Sequence, residues 1–156
     1  MPYRSITVWV VVLGVLAVLP GCLAGGGILP APDEPAEVAK TWIAVHGDSV
    51  VRLSLKNDGT GALAINLAKG PPSVYRIRSW RLDRETCYVN GVIDSLRRLP
   101  LDLEPVGQAQ PRTVTGWAGR TTIRLDVSGW GRPVWLTPEQ EVEDRIRQTR
   151  EGMAAR

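Results

Sequence analysis

The chain has 156 residues, room for one domain of ordinary size and a single core. Apolar residues make up 44% and charged residues 22%, a globular composition that excludes a collagen-like or wholly disordered chain. The net charge of +3 is small and spread along the sequence, which argues against electrostatically driven binding of nucleic acid. Two biases stand out: six Trp and three Tyr with no Phe, and sixteen Arg against three Lys. GC-rich codons would produce the Arg excess as readily as any ligand would.

The first element is an uncharged apolar run from Ile6 to Leu19, broken only by Thr7 and Gly14 and preceded by Arg4. A bilayer core takes about 20 helical residues, so this run is too short to span and instead suits the apolar segment of an export signal. Leu19-Pro20-Gly21-Cys22 follows at once. These four residues resemble the lipobox of bacterial lipoproteins, with Pro20 standing where Ala, Ser or Thr is more usual. The resemblance implies cleavage before Cys22, a diacylglycerol on its sulfur and a fatty acyl group, such as palmitate, on the new amino group. Several acyl chains make membrane attachment long-lived, each buried CH₂ contributing about 0.8 kcal/mol. Leu23 stands where an Asp would imply retention at the inner membrane. In a Gram-negative source, the resemblance therefore implies the outer membrane, with the body facing the periplasm.

Residues 1–21 are thus expected to be a signal peptide and 22–37 an acylated Cys with a flexible tether. The tether reading rests on three consecutive Gly and three Pro between Leu23 and Glu37. Residues 38–156 are expected to form one β-rich domain. Val51, Leu53 and Leu55 alternate with polar residues, as do Leu63, Ile65 and Leu67 with Ala64, Asn66 and Ala68. Asn57-Asp58-Gly59-Thr60-Gly61 lies between them, a turn segment that predicts a hairpin. Further strands are expected over 41–46, 74–82, 86–93, 99–103, 113–118 and 121–128, with an edge or covering strand at 134–136. Pro71-Pro72, Pro100, Pro105 and Pro111 are read as strand starts or loops. Thr137-Pro138-Glu139-Gln140 opens a helix expected over about 138–150, whose thin stripe of Val142 and Ile146 packs weakly or projects into solvent. The fold class is mainly β: an antiparallel meander or up-and-down barrel of about eight strands with a C-terminal helix. The stretch from Trp42 to Leu82 has an early Trp, the Asn-Asp-Gly-Thr-Gly turn and Tyr75-Arg76-Ile77-Arg78-Ser79-Trp80 on a later strand. It resembles the lipocalin-like small barrels of bacterial envelope proteins.

Catalytic chemistry is sparse. His46 is the single histidine. The adjoining Gly47-Asp48-Ser49 resembles the motif of a Ser hydrolase family, but no later His supplies the base, and Asp48 and Ser49 read as turn residues. No metal site is expected, because a zinc centre needs three or four N or S ligands. Cys87, without an intramolecular partner once Cys22 is acylated, is expected as a small buried residue or, if exposed, as one half of an intermolecular pair. Asp83 and Glu85 read as solvated charges at a turn. On the 74–82 strand, simple alternation places Arg76, Arg78 and Trp80 on one face, suited to a carboxylate, a phosphate or a glycan, or equally to covering a barrel. Trp117, Trp130 and Trp135 are expected in core packing.

The sequence therefore points to a lipid-anchored protein of the cell envelope with a non-enzymatic binding or interaction role. Its alternatives are a small-ligand carrier using the barrel interior and a Ser49-dependent hydrolase. No cofactor is expected. The expected partners are the membrane, through Cys22, and an envelope protein, a glycan or a small apolar ligand; nucleic acid is not among them.

Overall fold

The computed structural model describes residues 29–90 and 94–154. The apolar run, Cys22 and the first part of the expected tether lie outside the described residues. After a short helical turn α1 (Pro35–Val38), nine strands follow in chain order: β1 (Thr41–His46), β2 (Ser49–Leu55), β3 (Gly61–Asn66), β4 (Ser73–Trp80), β5 (Asp83–Asn90), β6 (Asp94–Val106), β7 (Val114–Ala118), β8 (Ile123–Val127) and β9 (Val134–Pro138). Helix α2 (Glu139–Ala154) completes the chain.

Consecutive strands pair antiparallel except β4 and β5, β9 pairs back onto β1, and β4 pairs with β6, so eight strands close an up-and-down barrel. The ninth, β5, continues the line of β4 and forms a hairpin arm with the first half of β6. The segment 134–136, expected as an edge or a cover, is part of β9 and closes the wall between β8 and β1. Pro100 and Pro105 lie inside β6 and not at its ends. Each occupies a stretch where β6 has a partner on one side only, β7 at Pro100 and β4 at Pro105, so neither missing N–H interrupts a ladder on both edges.

Alternation sends one face of each strand inward. Trp42, Leu53, Leu63, Tyr75, Ile77, Leu99, Leu125 and Leu136 are fully buried, and Leu55, Ile65 and Val127 nearly so. The barrel is filled by side chains. Two hairpin turns need glycine: Gly47 (φ 59°) takes the first of two central positions between β1 and β2, and Gly59 (φ 82°) turns β2 into β3.

The two ends of the barrel differ. At one, the chain before β1 is packed as a plug: Val38 is fully buried and Ala31 nearly so. Arg97 pairs with Asp33, Arg84 with Glu34 and Arg120 with Glu37, while the carbonyl of Leu29 accepts from the N–H of Ser95. The Gly- and Pro-rich stretch expected as tether up to Glu37 is therefore docked from Leu29 onward, because arginines supply the contacts its own composition does not announce. Trp42 finishes this closed end, its indole N–H donating to the carbonyl of Val38 at 2.9 Å.

Helix α2 leaves from the same end, since Pro138 stands opposite Trp42. It starts one residue later and runs four residues further than the sequence indicates, because Pro138 still belongs to β9. It has no buried residue; Val142 is half-buried and Ile146 exposed. Its entry into the fold is held by Glu139, paired with Arg52 at 2.8 Å.

Candidate functional site

The opposite end of the barrel is open. Of its loops, the one from Gly107 to Thr113 folds across part of the rim, with Ala109 against the core and the carbonyl of Gln110 accepting from the Tyr75 hydroxyl at 2.8 Å. The rest of the rim surrounds a pocket of about 320 Å³ lined by Ala44, His46, Ser49, Val51, Leu67, Trp130, Arg132 and Val134. These residues have the same strand parity as the core below them: Ala44 and His46 continue Trp42, Ser49 and Val51 precede Leu53, Leu67 follows Ile65, and Val134 precedes Leu136. The pocket is the top layer of the barrel interior left unfilled.

A split in the wall widens this mouth. β1 and β9 are paired only at Trp42–Pro138 and Ile43–Thr137, whereas Ala44 to His46 pair with β2 alone and Val134 to Leu136 with β8 alone. A second hollow of about 480 Å³ occupies this seam, lined by Ala44, Val45, His46, Arg132, Pro133, Val134 and Trp135. Ala44, His46, Arg132 and Val134 border both hollows. The lining is mostly aliphatic and aromatic, and Arg132 is its one Lys or Arg side chain, for which no carboxylate lies within ion-pair distance among the described residues. Apolar walls with a few convergent polar groups are the ordinary make-up of a small-molecule site.

His46 and Ser49, adjacent to the Gly-Asp turn, face each other in register and both line the mouth. The Ser49 hydroxyl oxygen accepts from the N–H of Ala68 at 3.1 Å, and no hydrogen bond joins it to His46 among the described residues. No three His, Cys, Asp or Glu side chains converge on one point among the described residues.

The face expected to carry Arg76, Arg78 and Trp80 together does not exist as one surface. Arg76 and Arg78 point outward and pair with Glu104 at 3.6 Å and Asp102 at 3.1 Å on β6. Trp80 points inward, because the register of β4 against β6 shifts between Ile77 and Ser79 and reverses the alternation beyond it. Its indole N–H donates to the carbonyls of Lys56 at 3.0 Å and Thr60 at 3.1 Å.

Cys87 is exposed and free, contrary to the expectation of a buried thiol; a register shift between Asp83 and Cys87 interrupts the β5–β6 pairing that alternation assumes. The late tryptophans divide. Trp130 packs on the core at the mouth, whereas Trp117 and Trp135 lie on the outer wall, directly opposite Arg124 on the strand between them. The Arg124 guanidinium stacks 5.4 Å from the Tyr88 ring and 5.9 Å from Trp135, held in place by Asp126. This outer row is cross-strand packing, the role a core was expected to give those rings.

The sequence identified none of the mouth as a unit, although it singled out His46 and Ser49. Leu67, Arg132 and Val134 come from separate segments that only barrel closure brings together. No family model matches this chain, and neither a curated protein nor a solved structure does.

Proposed function

We propose that this protein is a lipid-anchored, non-enzymatic binding module of the cell envelope that recognises its partner at the open mouth of the barrel. One geometric relationship carries the reading. The chain that leads back to Cys22 is docked at the closed end, and the apolar pocket that continues the barrel interior is at the other end. Cys22 precedes Leu29 by seven residues, a reach of at most about 25 Å. An anchor at Cys22 therefore holds the closed end toward the bilayer and leaves the mouth facing the aqueous side.

Burial of Leu53, Leu55, Leu63, Ile65 and Val127 speaks against a ligand carried at the barrel centre, so a carrier role, where it applies, belongs to the mouth. The hydrogen bond from Ala68 to the Ser49 hydroxyl gives no support to a Ser49 nucleophile.

A photo-crosslinking side chain placed at Leu67, on the rim, and separately at Arg78, on the outer wall, tests this in the native membrane with the full chain. Discrete adducts from position 67 and none from 78 are expected. Adducts from 78 alone, or from neither, would refute recognition at the mouth.

A further inference from the structure

We infer that the mouth takes a small organic anion: a compact apolar body of about two fused rings carrying one carboxylate. This rests on the reading of the mouth as the recognition surface and adds the chemistry of what is recognised.

Size sets the first limit. Small-molecule sites span about 300 to 1,000 Å³, and a closed apolar cavity of about 150 Å³ holds one benzene. The inner hollow, at about 320 Å³, matches a body near twice that size. Its floor is the filled core, so a ligand cannot go deeper.

Polarity sets the second limit. Val51, Leu67, Trp130 and Val134 offer apolar walls, and Trp130 gives a flat aromatic surface for a ring to contact. Arg132 borders both the inner hollow and the seam outside it, and no carboxylate of the described chain neutralises it there. A guanidinium presents donors in a fork that fits a carboxylate, and beside apolar walls that interaction is screened less than on an open surface. The seam supplies the third feature. Because β1 and β9 part beyond Ile43 and Thr137, a group attached to the body can reach Arg132 at the gap while the rings stay inside.

The test uses 2-naphthoate as the probe and 2-naphthamide as its uncharged counterpart, titrated by calorimetry against the full chain in lipid nanodiscs with empty nanodiscs as blank. Saturable naphthoate binding with one site is expected, with naphthamide weaker by roughly tenfold or more, the effect of losing one charge-assisted contact. Arg132→Gln should weaken naphthoate by a similar factor and leave naphthamide unchanged. Leu67→Asn should weaken both, because it alters the apolar wall and not the charge. Both residues are exposed on the rim, so neither change empties the core. Absence of saturable binding to the wild type, or equal naphthoate affinity in Arg132→Gln, would overturn the inference. If crosslinks from Leu67 persist in that case, the mouth still binds a partner and only the anionic ring compound is ruled out.

Discussion

Arg78 and Trp80, two residues apart on β4, stand on opposite sides of the barrel wall. The Arg78 side chain reaches across the outer surface to Asp102, while Trp80 is 7% exposed and closes its indole N–H on two carbonyls of the β2–β3 turn. Trp80→Ala should destabilise the domain by about 3 to 5 kcal/mol, the usual cost of emptying a buried aromatic site. Arg76→Ala combined with Arg78→Ala should leave the melting temperature close to wild type, because both ion pairs are open to solvent. Thermal unfolding of the two variants checks both statements.

The turn that receives Trp80 makes its own prediction. Asp58 accepts from the N–H of Thr60 at 2.9 Å and from its hydroxyl at 2.6 Å, and these bonds, the hydroxyl's first, hold the Asp58 carboxyl below its ordinary pKa. Gly59→Val forces a β-branched residue to a φ of 82°, and should lower the melting temperature clearly. Gly61→Ala should also destabilise, for a different reason: a Cβ there would overlap the Ser54 carbonyl oxygen, and overpacking of this kind costs about 1 to 3 kcal/mol. An unchanged melting temperature in either variant would contradict the geometry of this hairpin.

The plug at the closed end should be sensitive to acid. The Glu37 carboxylate accepts from the N–H of Glu34 and of Asp33, and Arg120 adds its charge, so the group is held below its ordinary pKa in the folded chain. Because the folded pKa is the lower one, this contribution is complete above the ordinary glutamate value and is lost as pH falls through the folded value. The protection factors of the amides over residues 29–40, with exchange corrected for the intrinsic rate at each pH, should therefore fall on acidification. Glu37→Gln should loosen the segment already at neutral pH and remove part of that acid response.

Where the backbone kept a strict period of two, the sequence was readable. Val51, Leu53 and Leu55 and their partners Leu63 and Ile65 face inward as alternation requires, because a two-residue repeat and a glycine turn together fix register. Legibility stopped at the irregularities. The shift beyond Ile77 turned Trp80 inward, and the shift before Cys87 left its thiol outside; neither is announced by residue type, since a bulge is settled by pairing with β6. The docking of residues 29–37 was hidden for another reason. Its partners Arg97 and Arg120 lie more than sixty residues downstream, and the segment by itself reads as a linker. The mouth has the same character, being assembled from β1, β2, the segment after β3 and the turn before β9 by closure of the wall.

The mass of the mature chain tests most directly the proposal that Cys22 is a lipid anchor. Intact mass spectrometry of the protein from its native membrane should give a chain beginning at Cys22 and carrying acyl chains. Cys22→Ser should lose that modification and leave the membrane fraction. An unmodified wild-type chain, or a Cys22→Ser variant with unchanged mass increment and fractionation, would contradict it.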